Sequence, residues 1–314
     1  MIGASVETAA KWLLEGEVVG IPTETVYGLA GNIYSEKAVD RIYTVKNRPR
    51  NNPLIVHVAS LGAATELVQE FPLKAMKLAE AFWPGPLTLI LRKNDKVPGY
   101  VTAGQDYVAI RIPAHEATLE LLKLVGFPLA APSANPANYI SPVTAAAVEE
   151  MIGKKIPYIL DGGHCRTGIE STIVAFEGDK CLLLRPGAIT ASHIAEVTGA
   201  NLLDKHGATV AHPGMFKKHY APRTKLLLAA DPMEAIRANP SKQIALLRFS
   251  TKITGNYKQQ VLSANADLEE AARNLYHSLY ELDKQQYELI IAEPAPDHGL
   301  GKAINDRLAK AAAH

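Results

Sequence analysis

The chain has 314 residues, of which 47% are hydrophobic and 21% charged; this composition is typical of globular proteins and excludes a largely disordered chain. Lys and Arg number 33 against 32 Asp and Glu, so any affinity for phosphates must come from locally clustered cations. Two cysteines, Cys165 and Cys181, provide no disulfide framework and are typical of a reducing compartment, so we expect a cytoplasmic protein.

The N-terminal segment has the pattern of a short amphipathic helix. Ser5 is placed to cap it, apolar residues recur at helical spacing over 6–14, and Gly16 can end it. Glutamates at positions 7, 15 and 17 leave no long apolar run, so we expect neither a signal peptide nor a membrane span. A short buried strand is predicted to follow over 18–21.

The next segment, PTETVYGLAGN, is predicted to form a turn. Gly28 and Gly31 would let the backbone turn sharply, and Thr23 and Thr25 could orient a small polar ligand through their hydroxyls. A purely structural turn, in which the threonines bond to neighbouring backbone groups, explains the same residues.

A basic segment follows the second helix, which is predicted to begin at Ser35 and to stop before Pro49 because proline restricts its predecessor. The sequence KNRPRNNPLIVHV brings Lys46, Arg48 and Arg50 together on a chain stiffened by prolines. Arginine matches phosphate oxygens bidentately and lysine acts as a point charge, so a triphosphate is a candidate ligand. Compensation of the helix dipole is the structural alternative.

Two polar residues interrupt apolar strands predicted at 54–58 and 108–112. His57 is either a ligand-binding residue or a histidine satisfied within the sheet. Arg111 requires an anionic partner, either the carboxylate of a substrate or a protein carboxylate such as Glu24.

A polar loop, SANPANYIS, follows a short strand predicted at 129–131. Ser133, Asn135 and Ser141 lie in it, and Ser141-Pro142 is predicted to start a helix over 142–151. Polar groups between the carboxyl end of a strand and a helix N-terminus are where α/β folds bind anions, so we expect contact with phosphate or ribose. A helix-capping loop is the alternative. Ser171 in GIEST and Arg185 in LLLRPG are further polar candidates.

The remaining pattern of the first 199 residues predicts an α/β domain with a mixed sheet, because helices do not alternate one-for-one with strands. The further strands are predicted at 87–91, 158–160, 172–176 and 182–184, and the further helices at about 61–82 and 115–124.

A second, smaller domain is predicted over 224–314, after a linker at 200–223 in which glycines, prolines and the basic cluster Lys217, Lys218 and His219 occur. Strands and helices alternate in this domain, which favours a parallel sheet. The strands are predicted at 226–228, 244–247 and 289–292, and the helices to begin near Asp231, Asp267 and Gly301.

Common nucleotide, metal and nucleophile motifs do not occur. The run GGHCRTGIE lacks the Lys and Ser/Thr of a Walker loop, and Gly299-Leu300-Gly301 lacks the third glycine of a dinucleotide fingerprint. Cys165 beside His164 does not have zinc spacing, and the elbow G-x-S-x-G is absent. A nucleotide site must therefore be assembled from side chains, and no metal ligands can be assigned.

Seven motifs in order, namely PTETVYGL, KNRP with NNPL, WPGPLT, APSAN, DGG, GIEST and LLRPG, resemble the YrdC/Sua5 family over residues 5–190. HPGMFKKHYAP and the βα region after it resemble the long Sua5 form. The resemblance implies a YrdC-like twisted mixed sheet with helices, plus a small Rossmann-like βαβ C-terminal domain. It also implies the family's activity, which is that of a threonylcarbamoyl-AMP synthase, a nucleotidyltransferase.

The family forms threonylcarbamoyl-adenylate and pyrophosphate from L-threonine, bicarbonate or CO2, and ATP, usually with Mg²⁺. A downstream threonylcarbamoyl transferase then modifies adenosine 37 of tRNA. Through the resemblance, threonine would be held by Thr25, His57, Arg111 and Ser171. ATP would be held by Lys46, Arg48, Asn52, Ser133, Asn135, Ser141, Arg185 and Tyr220. Lys46 and Arg48 would position the reactants, because the carbamate of threonine is itself the nucleophile.

The linker over 200–223 is expected to act as a lid, because a carbamate is short-lived in water and needs a covered site. In the family a basic residue more often follows Pro-Gly-Met, with an aromatic next, whereas here Phe216 precedes Lys217.

Two other functions remain open at this point. An RNA-binding module without catalysis is suggested by the basic cluster at 46–50 and by the patch at 217–219, although the near-zero net charge argues against it, and no stable DNA binding is expected. A hydrolase or carbamoyl transferase on the same scaffold is the other, because fold alone does not fix function.

Overall fold

The computed structural model describes residues 1–178, 180–199, 202–203 and 219–313. Most of the predicted linker, with Phe216, Lys217 and Lys218, lies outside these residues, and so does most of the predicted lid. None of the helices in the described ranges is long and apolar enough to cross a membrane.

Two sheets organise the chain. The first has eleven strands in the order β1-β8-β2-β3-β7-β4-β6-β5-β9-β10-β11, and the second has four in the order β12-β15-β13-β14. The strands are β1 (Ile2–Gly3), β2 (Val19–Ile21), β3 (Gly28–Asn32), β4 (Ile55–His57), β5 (Leu87–Arg92), β6 (Tyr107–Arg111), β7 (Leu129–Ala130), β8 (Tyr158–Leu160), β9 (Thr172–Glu177), β10 (Lys180–Arg185), β11 (Leu202–Leu203), β12 (Lys225–Leu228), β13 (Ile244–Arg248), β14 (Lys258–Val261) and β15 (Leu289–Ala292).

The helices of the described ranges lie between these strands, except the last, which follows β15. They are α1 (Val6–Leu14), α2 (Glu36–Lys46), α3 (Leu61–Thr65), α4 (Leu73–Phe82), α5 (Glu116–Val125), α6 (Ala145–Ile152), α7 (Ala191–Thr198), α8 (Pro232–Arg237), α9 (Leu268–Asp283) and α10 (Gly301–Ala312), with a single 3-10 turn at Gly153–Lys155.

The first sheet is mixed, as predicted. β2 pairs antiparallel with β3 and parallel with β8, whereas β4 pairs parallel with β6 and antiparallel with β7. The pairing of β4 with β6 sets His57 directly opposite Arg111. The sheet register therefore brings together two polar residues that lie 54 positions apart in the chain.

The second sheet is parallel throughout, also as predicted. Its strand β14 was not expected, because the segment Lys258–Val261 contains two glutamines and only one apolar residue. We refer to residues 224–313, which carry this sheet and helices α8 to α10, as the C-terminal unit.

Three predicted elements differ from the structure. The helix predicted over 61–82 is two helices, and the second begins after Pro72. Helix α6 begins at Ala145 and is capped by the Thr144 hydroxyl, so Ser141 neither starts nor caps it.

The predicted turn at Gly28 and Gly31 is instead strand β3. A Cβ atom at Gly31 would lie 3.2 Å from Ile42 and 3.3 Å from Val18, so this glycine permits close packing under helix α2 rather than a change of chain direction.

The C-terminal unit packs against helix α6 and loops of the first 199 residues through helices α9 and α10. Tyr139 donates a 2.6 Å hydrogen bond to Asp283 on α9, and Tyr280 donates one of 2.6 Å to Glu150 on α6. Gly168 has φ +78°, and a Cβ there would lie 2.4 Å from the Cα of Arg273 on α9. Only glycine therefore allows the loop before Glu170 to approach this helix so closely.

Helix α2 carries the chain into the basic segment, and its N-terminus depends on Ser35, whose hydroxyl accepts a hydrogen bond from Ala38 N. We expect Ser35→Ala to lower the free energy of unfolding by about 1 kcal/mol, because one backbone N–H loses its partner. Urea denaturation measures the change. Lys37→Ala, at an exposed position of the same helix, is the control and should change stability by less than about 0.5 kcal/mol. Equal effects of both substitutions would contradict the capping role.

Candidate active site

A cavity lies where the ends of several strands of the first sheet meet His219 and Tyr220, near the end of the predicted linker. Eight of the twelve residues predicted from the sequence line it, and they come from segments that are remote from one another in the chain. They are Thr25, Arg48, His57, Arg111, Ser133, Ser171, Arg185 and Tyr220.

The other four predicted residues lie one contact behind the cavity wall. Asn52 accepts hydrogen bonds from Arg48, and Asn135 accepts one from the Ser133 hydroxyl. Ser141 donates to Glu170, which itself lines the cavity, and the fourth residue, Lys46, is described below. Their assignment to ATP stays a prediction.

Arg111 is held by the loop that contains Glu24. Its Nη2 lies 2.7 Å from Glu24 Oε1, both side chains are at most 5% exposed, and the two atoms lack the alignment of a hydrogen bond. Its Nη1 donates to Thr25 Oγ1 at 2.9 Å and its Nε to the carbonyl of Gly85 at 3.1 Å. The protein carboxylate named among the alternatives for Arg111 is thus present, and the guanidinium still lines the cavity.

His57 is buried beside Arg111, and its Nδ1 has no hydrogen-bond partner among the residues that the structure describes. Burial, with a contribution from the positive charge of Arg111, lowers the pKa of His57 to about 3, so the imidazole is neutral at physiological pH. A buried polar atom without a partner is uncommon in folded proteins, and this one lies at a cavity wall. It therefore marks a position where a ligand can complete the hydrogen bonding.

Arg48 is fixed by the turn that follows it. Its guanidinium donates to Asn52 Oδ1 at 2.5 Å, to the Asn52 carbonyl at 3.2 Å and to the Pro53 carbonyl at 2.9 Å. Burial lowers the pKa of Arg48 to about 10, which leaves the side chain charged at neutral pH. The left-handed conformation of Asn47 ends helix α2 and turns the chain toward the cavity.

The predicted grouping of three cations is wrong in one member. Arg50 is exposed and forms an ion pair with Asp40 at the surface, away from the cavity lining. Lys46 and Arg48 are buried, so the segment presents no exposed basic face to RNA. His219, from the second basic patch, is buried as well.

Lys46 lies behind the cavity wall and holds the segment from Ser133 to Asn135 through hydrogen bonds. Its Nζ donates to the carbonyls of Ser133 and Asn135, each at 2.6 Å, and to Asn135 Oδ1 at 3.0 Å. Burial and the charge of Arg48 lower the pKa of Lys46 well below its usual value. Three acceptors nevertheless match the three protons of an ammonium group, so the charge is stabilised where it lies.

Arg185 fixes Ser171. Its Nε donates to the Ser171 carbonyl at 2.9 Å and its Nη2 to the Ser171 hydroxyl at 3.0 Å. The same hydroxyl lies 2.7 Å from that of Thr88 on β5. Ser171 is thus oriented by two neighbouring groups and reaches the cavity beside Arg185.

Two polar or charged lining residues, Glu170 and His219, were not predicted from the sequence to bind a ligand, and Thr23, whose hydroxyl was considered for that role, lines the cavity as well. Burial by itself raises the pKa of Glu170, but the charges of Arg307 and Arg185 outweigh it and hold the pKa at about 2. GIEST contains Glu170, yet nothing in a single sequence indicates that its partner, Arg307, lies 137 residues away.

Tyr220 closes the side of the cavity that faces the C-terminal unit. It is 1% exposed, and its φ of 63° is unusual for a residue other than glycine. Its hydroxyl has no hydrogen-bond partner within residues 1–178, 180–199, 202–203 and 219–313. Burial lowers the pKa of the adjacent His219 to about 3 and raises that of Tyr220 to about 12, so both are neutral at physiological pH. A strained residue with an unpaired hydroxyl at a cavity wall is typical of a ligand-binding position.

The arrangement suits an anionic ligand that also carries polar groups. Three guanidinium groups, those of Arg48, Arg111 and Arg185, meet at the cavity together with several hydroxyls. The described residues contain no group of three or more His, Cys, Asp or Glu placed to hold a metal ion. Both cysteines are buried and unpaired with each other, and burial raises their pKa values, so neither is an activated nucleophile.

Comparison with known proteins gives two family matches that together span most of the chain. The Sua5/YciO/YrdC model, described as "Telomere recombination", matches residues 11–187. The model described as "Threonylcarbamoyl-AMP synthase, C-terminal domain" matches residues 189–313.

Similar proteins cover nearly the whole chain. The threonylcarbamoyl-AMP synthase of Pyrococcus abyssi is 40% identical, with 98% of this chain and 94% of that protein covered. The Bacillus subtilis protein of the same name is 41% identical, with 97% and 92% covered.

Among solved structures, P. abyssi Sua5 complexed with L-threonine matches with a TM-score of 0.90 and 38% identity, over 98% of this chain and 94% of that one. Escherichia coli YciO, at 19% identity and a TM-score of 0.53 over 60% of this chain and 93% of its own, shares the fold.

The buried imidazole of His57 makes stability depend on pH. Its pKa is about 3 in the folded protein against 6.5 ordinarily, so between these values the unfolded chain binds a proton that the folded chain does not. Its contribution is therefore complete above pH 6.5 and is lost as the pH falls toward 3. We expect the urea midpoint of the wild type to fall from pH 7.5 to pH 5.

We expect His57→Gln to reduce that fall, and His298→Gln, at an exposed position, to leave it unchanged. An undiminished fall in His57→Gln would show that the imidazole is not held neutral.

Proposed function

The chain belongs to the Sua5/YrdC family in its long form, and we propose that it is a threonylcarbamoyl-AMP synthase. The reaction would join L-threonine, bicarbonate or CO2, and ATP to give threonylcarbamoyl-adenylate and pyrophosphate, which makes the enzyme a nucleotidyltransferase. The observation that carries the proposal is the meeting of three buried guanidinium groups with the neutral His57 imidazole in one cavity; Nδ1 of that ring has no partner among the described residues.

Threonine occupies the part of the cavity formed by Thr25, His57, Arg111 and Ser171. The guanidinium of Arg111 pairs with the substrate carboxylate, and Glu24 keeps that guanidinium in place. The neutral imidazole of His57 and the hydroxyls of Thr25 and Ser171 are suited to the polar groups of the amino acid, because none of them carries a competing charge.

ATP occupies the part that contains Arg48, Ser133, Arg185 and Tyr220. Arg48 and Arg185 face the phosphates, while Tyr220 covers the nucleotide from the side of the C-terminal unit. The residues one contact behind, namely Lys46, Asn52, Asn135 and Ser141, hold these groups in position through the hydrogen bonds described above.

The chemistry needs no protein nucleophile. The amine of threonine and CO2 form a carbamate, one of whose oxygens attacks the α-phosphorus of ATP; the new P–O bond forms as the bond to pyrophosphate breaks. Arg48 and Arg185 stabilise the charge that builds on the phosphates, and the two sites bring the reactants together.

The described residues that line the cavity do not form a set of protein ligands for Mg²⁺. Glu170 is the single carboxylate among the described residues that line the cavity, and it already forms an ion pair with Arg307. Mg²⁺ usually binds through substrate phosphates and water rather than through a full set of protein ligands, so a magnesium ion would enter with ATP.

The wider setting is also part of the proposal. The product would pass to a downstream transferase that modifies tRNA, and the cytoplasm, where ATP and tRNA are found together, would be the place of action. The chain would comprise a catalytic domain at 1–199, a linker and lid at 200–223, and a C-terminal domain at 224–314.

The reaction is tested with purified protein and labelled ATP. We expect pyrophosphate and a threonylcarbamoyl-adenylate, identified by mass spectrometry, only when threonine, bicarbonate and ATP are all present. Pyrophosphate release that is indifferent to threonine would refute the synthase, and carbamoyl transfer or phosphate release without the adenylate would indicate another enzyme.

Arg48 and Arg50 form a matched pair for testing the nucleotide site. We expect Arg48→Ala to lower kcat/KM for ATP at least about 30-fold, because loss of a buried charged partner typically costs 2 kcal/mol or more. Arg50→Ala, which removes an exposed ion pair with Asp40, should change kcat/KM less than about threefold. Thermal unfolding of both variants checks that they fold, and equal activities would refute the role of Arg48.

A further inference from the structure

Arg307, on helix α10 of the C-terminal unit, reaches the wall of the cavity. Its side chain is 0% exposed, its Nε donates to Glu170 Oε2 at 2.8 Å, and its Nη2 donates to the Pro186 carbonyl at 3.0 Å. Its guanidinium also lies 5.2 Å from the centre of the Tyr220 ring. One buried cation of the C-terminal unit therefore contacts three parts of the active-site wall.

The contact with Glu170 affects the ligand, because Glu170 brings a negative charge to the cavity wall. It is the one carboxylate among the described residues that line the cavity, and it lies next in sequence to Ser171. It accepts hydrogen bonds from Ser141 at 2.6 Å and Tyr276 at 2.8 Å, both neutral donors. Arg307 supplies the positive charge directly bonded to it.

The charge balance of the nucleotide site then depends on Arg307. Without a counter-charge, the Glu170 carboxylate would attract the guanidinium of Arg185 and would repel the phosphates of ATP. With Glu170 paired to Arg307, its negative charge is compensated from the C-terminal unit, and it attracts Arg185 and repels the phosphates less. Asp306, the other acidic partner of Arg307, is also paired with Lys310.

We propose that Arg307 is a positioning residue of the C-terminal unit that makes the cavity competent for ATP by compensating the charge of Glu170. The inference rests on the proposed function, since it concerns how the same cavity accepts ATP. It differs from a purely structural role, in which Arg307 would only hold the two parts of the chain together.

Threonine binding separates the two roles. Arg111 is paired with Glu24, a different carboxylate, and donates to Thr25, while His57 lies opposite Arg111 in the sheet; the hydrogen bonds and ion pairs of Arg307 involve none of these three residues. Loss of charge compensation should therefore weaken ATP binding and leave threonine binding nearly unchanged. Loss of structure would weaken both.

The experiment measures the binding of ATP and of threonine separately, by calorimetry, to full-length wild type, Arg307→Met, Glu170→Gln and the double variant. Methionine keeps the aliphatic stem of Arg307. Glutamine keeps one oxygen that accepts from the Ser141 or the Tyr276 hydroxyl, and its amide nitrogen can donate to the other hydroxyl. We expect Arg307→Met to weaken ATP binding about tenfold or more and to change threonine binding less than about threefold.

Rescue is the decisive result. In the Glu170→Gln background no carboxylate remains to compensate, so Arg307→Met should change ATP affinity less than about threefold relative to Glu170→Gln alone. A loss in the double variant as large as in Arg307→Met alone would overturn the proposal, and so would a parallel loss of threonine binding. If Arg307→Met does not fold, the comparison of Glu170→Gln with the double variant still decides.

Failure of the proposed function gives a different outcome. A wild type that neither binds ATP nor forms the adenylate would refute the synthase itself. A wild type that does both, with Arg307→Met binding ATP equally well, would refute only the role of Arg307.

Discussion

The burial of arginine charge is the constraint on which this cavity depends. Arg48, Arg111, Arg185 and Arg307 are all at most 9% exposed, and a buried cation destabilises the fold unless it is paired or fully hydrogen-bonded. The protein meets this requirement with three carboxylates, those of Glu24, Glu170 and Asp306, and with backbone carbonyls at strand ends and loops. Each guanidinium thereby fixes a loop, because the same hydrogen bonds satisfy carbonyl groups that the sheet leaves unpaired.

This use of arginine gives the cavity two parts with separate supports. Glu24 and Gly85 hold Arg111, and these partners belong to the first 199 residues. Glu170 and Pro186 are held by Arg307, which belongs to the C-terminal unit. The part proposed for the amino acid is thus built within one sheet, whereas the part proposed for the nucleotide requires the second unit as well.

Local patterns in the sequence predicted much of the fold, because local chemistry sets them. The side chains of Ser5, Ser35, Asp231 and Asp267 cap helices as their residue types favour, and two predicted strands, 158–160 and 289–292, have the observed bounds. The glycines of β3 misled the prediction, because Gly31 packs against helix α2 and Gly28 against Ala131, and a single sequence does not show these contacts.

The site was predictable in part for the same reason. Residues in motifs beside predicted strands, such as Arg48 and Ser171, do line the cavity, whereas Arg50 pairs with Asp40 on an adjacent helix face that the spacing did not reveal. Arg307 was not recognised at all. An arginine in an amphipathic helix usually faces solvent, and its burial arises from a contact between elements 137 residues apart.

The bond between Arg307 and Glu170 bears on how far this enzyme can be treated as modular. A protein engineer who joined residues 1–199 to a different C-terminal module, or used them alone, would keep the buried carboxylate at position 170 and lose its counter-charge. Such a chimera would need either an arginine placed at the same point or a neutral residue in place of Glu170. The contact that any exchange of modules would have to preserve therefore lies in the cavity wall, between Arg307 and Glu170, and not in the linker.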